Sequence, residues 1–169
     1  TGLQAGLLWS PGTSWKIGSS FRQGAELTSE VSNEGLGAPI IAPDALAVGT
    51  SWRSPDGKIT VALEYDQIDY SELRAAVESR PGQSFIHDGS QLRLGAEFVK
   101  IDWNPVTAFR VGVWSDRDRP GFDLSTTSDD EEVHAAVGLG LAWKRFQLDL
   151  GLDSSHSATT ISVSAIITL

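Results

Sequence analysis

Cysteine and methionine are absent from the 169 residues, and histidine occurs three times. No stretch approaches the roughly 18 consecutive apolar residues of a membrane-spanning helix. Without cysteine there is no disulfide framework and no thiol chemistry, which suits an oxidising compartment such as the periplasm. The short apolar runs exclude a helical membrane protein. They do not exclude a β-barrel, whose lipid-facing residues are diluted one to one by lumen-facing ones. Positive charge is also scarce: 13 Lys and Arg against 22 Asp and Glu leave a net charge of −9, which argues against nucleic acid as a partner. No initiator Met and no signal peptide are present, and Thr1 lies in a strand-like stretch, so a processed chain or a fragment is expected.

What is present alternates. From Ala158 to Leu169, Ile161, Val163, Ala165, Ile167 and Leu169 fall on one parity and Thr160, Ser162, Ser164 and Thr168 on the other, with Ile166 the exception. Successive side chains of a strand point to opposite faces, so this is a strand with one apolar and one polar side. Phe146, Leu148, Leu150 and Leu152 repeat the pattern against Gln147, Asp149, Gly151 and Asp153. Reading by this period gives about nine strands. The seven others carry their apolar parity at Leu3–Trp9, Trp15–Phe21, Leu46–Trp52, Ile59–Tyr65, Leu92–Phe98, Phe109–Val113 and Val133–Trp143. The opposite parity is small or charged almost throughout; Leu8 and Trp114 do not fit it. Seventeen Gly, six Trp and the lack of a helical repeat agree with an all-β chain.

Connections alternate in length. Ser10–Ser14, Arg53–Lys58, Asp102–Thr107 and Lys144–Arg145 are short, whereas Gln23–Asp44, Asp69–Gly89 and Ser115–Glu131 are long and polar. Trp9, Trp15, Trp52, Trp103 and Trp143, with Phe146, flank the short turns. An indole prefers a bilayer interface, where its ring is buried and its N–H stays wet. A soluble β-sandwich or lipocalin-like barrel also alternates, but it would spread its tryptophans through a core. The tryptophan rim, the loop asymmetry and the uncharged apolar parity together favour an antiparallel transmembrane β-barrel, with residues 1–169 as a single barrel domain and the short turns periplasmic.

Several runs resemble the FadL/TodX family of outer-membrane transporters: Leu92-Arg-Leu-Gly-Ala-Glu-Phe98, the stretch from Asn104 to Pro120, Val137-Gly-Leu-Gly-Leu-Ala-Trp143, Ser14-Trp-Lys-Ile-Gly-Ser-Ser-Phe-Arg22 and Pro43–Trp52. The resemblance covers most of the chain, through strand-and-turn patterns that other outer-membrane barrels share. It implies the C-terminal part of a 14-stranded barrel in the bacterial outer membrane, taking up long-chain fatty acids or other hydrophobic small molecules passively. It also implies an N-terminal hatch in the lumen and lateral exit at a kinked early strand. Nothing here matches the family's N-terminal motif, so no functional residue carries over. About five strands and the hatch are expected upstream of Thr1. Members usually end in an aromatic residue that assembly machinery reads; here the last residue is Leu169. The alternative reading is a non-transporting outer-membrane barrel that serves as scaffold or anchor in a surface complex.

No enzyme signature emerges, and neither a cofactor nor a metal is expected. His87, His134 and His156 lack metal-ligand spacing. Asp153-Ser-Ser-His-Ser157 holds its Ser, His and Asp within one turn, whereas a triad draws its partners from apart. Gly138-Leu-Gly140 lacks the strand-to-helix context of a phosphate loop and reads as lumen-facing positions where bulk is excluded. The acidic run Asp129–Glu132, with Asp116, Asp118 and Asp123, offers oxygens to a divalent cation that would bridge the loops to lipopolysaccharide phosphates. An exposed loop of one sign is more often simply solvated. Arg93, Glu97 and Arg110 are the lumen-facing candidates for ligand contact, and with Glu64 and Asp149 they are expected to pair across strands and brace the wall. Membrane lipids, lipopolysaccharide and proteins docking on the long extracellular loops are the remaining expected partners.

Overall fold

A computed structural model describes residues 2–24, 26–27, 40–72, 88–117 and 132–168. Apart from Ser71 and Glu72, which are helical, the regular structure among them is β throughout. The strands are β1 (Gln4–Trp9), β2 (Trp15–Arg22), β3 (Glu26–Leu27), β4 (Ile40–Ile41), β5 (Asp44–Arg53), β6 (Ile59–Asp69), β7 (Gly89–Lys100), β8 (Val106–Arg117), β9 (Glu132–Ala142), β10 (Phe146–Ser154) and β11 (Thr159–Ile167). Nine of them form one sheet in the order β1-β2-β5-β6-β7-β8-β9-β10-β11, and β3 pairs only with β4. Every pairing is antiparallel, so the sheet is an up-and-down meander.

The nine alternating segments are these nine strands. The additional β3–β4 hairpin lies within the long connection 23–44, pairing Glu26 with Ile41 and Leu27 with Ile40. Two-residue strands carry no measurable alternation, which is why the sequence pattern passes over them. The connection Ser155–Ala158 adds a short turn at the end of the sheet where the long loops lie. There Ser155 N–H donates to the Ala158 carbonyl at 2.8 Å.

Residues directly opposite one another in an antiparallel pair share a face. One row runs Trp15, Trp52, Val61, Ala96, Val111, Val137, Leu152, Ile161 across eight strands without a polar side chain. The next row toward the short turns runs Ile59, Phe98, Phe109, Leu139, Leu150, Val163. No strand slips by one residue, a shift that would turn its apolar set to the other side. The result is a sheet with one continuous apolar face and one polar face, and no described element covers the apolar one. Ala108 is the only buried apolar side chain among the described residues, while Val111, Val137 and Val163 are 58%, 55% and 66% exposed.

Side chains within the short turns close them. Between β5 and β6 the Ser54 hydroxyl donates to Asp56 at 2.5 Å, Lys58 N–H donates to the same oxygen at 3.2 Å, and Ile59 N–H donates to Ser54 Oγ at 2.9 Å. The Ser54 hydrogen bond and then that of Lys58 hold the Asp56 carboxyl below the usual carboxylate range. Gly57 sits at φ 71°, the left-handed region where a Cβ meets the following carbonyl. Gly57→Ala should therefore destabilise the sheet by about 1–2 kcal/mol. Equilibrium urea unfolding measures this, and a neutral substitution would show that the turn relaxes out of this conformation.

Candidate functional site

The polar face falls into two halves. Across β1, β2 and β5 its two middle rows are built mainly from small residues: Gly6, Ser20 and Ala47 in one, Gly18 and Gly49 in the next. They floor an open trough of about 520 Å³, into which Leu8 projects opposite Gly18. Leu8, unplaced by the alternation, thus lies on the polar face and is 66% exposed. From β6 to β10 the face carries charge instead, in clusters that the register assembles.

The first cluster centres on Arg93 of β7. Its Nη1 donates to Glu64 Oε1 at 2.6 Å on the directly opposite position of β6, and to Asp66 one diagonal step away. Its Nη2 donates to Gln91 Oε1. The second centres on Arg110 of β8, whose Nε donates to Glu97 Oε2 at 2.7 Å directly across on β7. Its Nη1 donates to Asp149 Oδ1, also at 2.7 Å. Asp149 lies on β10, two strands from Arg110, and takes a further bond from Gln147 Nε2 at 2.6 Å.

That second bond needs explanation, because two strand spacings are about 9.5 Å. Arg110 spans the gap by lying flat across β9, where the residue opposite it is Gly138 and the residue opposite Asp149 is Gly140. A Cβ on Gly138 would stand 3.4 Å from Arg110 Cβ. One on Gly140 would stand 2.8 Å from Asp149 Oδ1 and 3.1 Å from Arg110 Nη1. The expected exclusion of bulk at Gly138 and Gly140 thus has a specific cause: the two glycines are the floor under a guanidinium that ties β8 to β10.

The third cluster lies toward the long-loop end. His134, 8% exposed, stacks on Trp114 directly opposite it, with ring centroids 4.7 Å apart and planes 8° from parallel. Its Nδ1 is 3.3 Å from Asp153 Oδ1 and its Nε2 is 3.9 Å from Glu132 Oε2. Trp114, the other residue that broke the alternation, belongs to the polar face because an imidazole covers its ring. The Glu132 carboxylate accepts from Ser157 N–H at 3.0 Å and from the Ser157 hydroxyl, pinning the β10–β11 turn to the start of β9.

All five charges expected to brace the wall, Arg93, Glu97, Arg110, Glu64 and Asp149, are thus in ion pairs. Asp66, Gln91, Gln147 and the His134–Asp153 pair join them, partners that only the register identifies. Each arginine candidate for ligand contact already faces two carboxylates. Of the acidic run, Glu132 is placed as above, and Asp129, Asp130 and Glu131 lie outside the described residues, as do His87, Asp118 and Asp123. Among the described residues no group of three or more His, Asp or Glu is disposed to hold a metal ion. No family model matches the chain, and no curated protein and no solved structure matches it.

Half-exposed ion pairs contribute about 0.2–1 kcal/mol each. A double-mutant cycle of Arg110→Met and Asp149→Asn should give a coupling of about 0.5–1 kcal/mol. In a Gly140→Val background that coupling should vanish. It should survive in Gly95→Val, because a Cβ on Gly95 would meet only the Val111 carbonyl oxygen, at 3.8 Å. Coupling that persists in the Gly140→Val background would refute the route across β9.

Proposed function

We propose that this chain is wall of an outer-membrane β-barrel whose whole protein admits hydrophobic compounds such as long-chain fatty acids. The observation that carries the barrel reading is the uncovered apolar face, continuous over the nine-stranded sheet. Soluble monomers rarely expose contiguous apolar patches beyond a few hundred Å². In hydrocarbon, such a face is the favourable one, and a sheet can cross there because its backbone groups are satisfied between strands. The dimensions fit. From Val133 to Trp143 the apolar parity of β9 and the turn after it covers about 34 Å along the strand. At a tilt of about 40° this is about 25 Å along the normal, the height of the apolar band of such barrels.

Five of the six tryptophans lie at the short-turn end, where Trp15 and Trp52 stand directly opposite each other. That placement supports an aromatic girdle. The transport part of the reading rests on the resemblance to the FadL/TodX family, which also supplies the 14-stranded barrel and the bacterial outer membrane as location. The second reading, a non-transporting scaffold or anchor, draws support from the polar face. Arg93 and Arg110 are each neutralised by two carboxylates, an arrangement that stiffens a wall and places no ring of one sign there to select a solute. Neither reading gives the chain catalytic work.

The chain should fractionate with membranes and need detergent for extraction; a monodisperse detergent-free protein would overturn the barrel reading. Within that assay Leu150→Arg and Val163→Arg, on the apolar face, should each cost about 2–4 kcal/mol of folding in liposomes. Ser162→Arg, on the polar face beside Val163, should cost far less, and an equal ranking of the three would invert the faces.

Transport makes a separate prediction. Sites for hydrophobic ligands are concave and mostly apolar, whereas the polar face here is mostly small or charged, with Leu8 on β1 and Trp114 on β8 far from one another. Arg93→Ala and Arg110→Ala should therefore change uptake of a long-chain fatty acid by less than about threefold at normal surface abundance. Near-complete loss with either would place the ligand site on these strands.

A further inference from the structure

Among the described residues the balance of charge differs between the two ends of the sheet. At the short-turn end Arg53, Lys58, Lys100, Lys144 and Arg145 stand against Asp56 and Asp102, a net charge of +3 in a chain whose total is −9. At the opposite end of the same strands Asp44, Asp69, Asp88, Asp116, Glu132 and Asp153 outnumber Arg22 and Arg117. The division is not forced by folding, because turns close equally well with uncharged polar residues.

Part of the positive end is joined to exposed aromatic surface. Lys100 has the apolar parity, in one row with Thr107, Leu141 and Leu148, and so stands at the edge of the apolar band. Its Nζ lies 5.5 Å from the centre of the Trp103 ring and 3.8 Å from Asp102. Two strands away, the β9–β10 turn presents Lys144 and Arg145 between Trp143 and Phe146, whose rings are 5.5 Å apart. Trp103, Trp143 and Phe146 are 51%, 42% and 38% exposed. Among the described residues neither Lys144 nor Arg145 forms an ion pair. Strand geometry puts the two turns about 10 Å apart.

We propose that this patch, Lys100 and Trp103 with Trp143, Lys144, Arg145 and Phe146, docks the phosphodiester head groups of anionic phospholipids in the leaflet that the short turns face. The rings lie where the acyl chains begin, and the long cationic side chains reach outward to the phosphates. Phospholipid is the occupant that fits, since short turns of such barrels face the periplasm. The acidic end would repel lipid phosphate. The proposal rests on the barrel reading and adds to it a lipid class and an orientation.

The test compares association with and insertion into phosphatidylcholine vesicles and vesicles carrying about one third phosphatidylglycerol, at low and high salt. Each cation near an anionic surface is worth roughly a fivefold gain in association. The unmodified chain should gain at least tenfold from the anionic lipid and lose that gain at high salt. The triple variant Lys100→Gln, Lys144→Gln, Arg145→Gln should insert into neutral vesicles as before but lose most of the gain. Lys16→Gln, on the polar face, should keep it. A triple variant that gains as much as the unmodified chain overturns the lipid site while the barrel stands. A chain that inserts into neither vesicle overturns both.

Discussion

Everything in this molecule depends on an antiparallel hydrogen-bond ladder held in constant register over nine strands. With a side-chain period of two, the register alone decides which residues share a face. It lines up valines, leucines and aromatics on one side, and on the other it brings carboxylates beside arginines from strands far apart in sequence. A one-residue slip between β8 and β9 would turn Val111 and Val137 to opposite sides and remove Gly138 from beneath Arg110 in the same movement. Among the described residues there is no packed core to resist this. The specificity of the fold resides in the ladder and in the separation of apolar from polar side chains that the ladder enforces.

The polar face shows how such a sheet handles charge. Arg93 and Arg110 each meet two carboxylates, and the second partner of Arg110 is reached only because β9 has no side chains between them. At about 0.2–1 kcal/mol per half-exposed pair, these contacts do not hold the fold together. Their consequence is geometric: each ties neighbouring or next-neighbouring strands and discourages slippage. The same neutralisation bears on the proposed function, because a guanidinium shared by two carboxylates has little positive potential left to offer an anionic head group.

Much of this was legible in the sequence. Strict alternation located the nine strands and the apolar parity of each, because an uncovered face tolerates few exceptions. Leu8 and Trp114 were illegible for a shared reason. Each is apolar on a polar face, and the partner that explains it, Gly18 for one and His134 for the other, is identified only by cross-strand register. The glycine floor was half legible: Gly138 and Gly140 announced excluded bulk, but nothing local named the guanidinium that fills the space. The β3–β4 hairpin lay below the length at which alternation has meaning. The pairing of Glu132 with Ser157 was hidden because a carboxylate at the end of an acidic run gives no sign of its partner.

The two outer strands complete the physical picture. Residues Thr159–Ile167 of β11 and Gln4–Trp9 of β1 contain no charged residue and no proline, and every residue in them is exposed. Soluble sheets blunt their edges with lysine, proline or bulges, since a bare flat edge pairs with whatever strand it meets. Neither edge here is blunted, so both suit strands that are paired on each side, as in a closed barrel. Direction then constrains closure. In a meander of nine strands the first and last run the same way, so β1 and β11 pairing directly would make a parallel seam in an otherwise antiparallel wall. Antiparallel closure needs an odd number of additional strands between them. The five implied by the family resemblance satisfy that parity, which follows from strand direction and owes nothing to the resemblance itself.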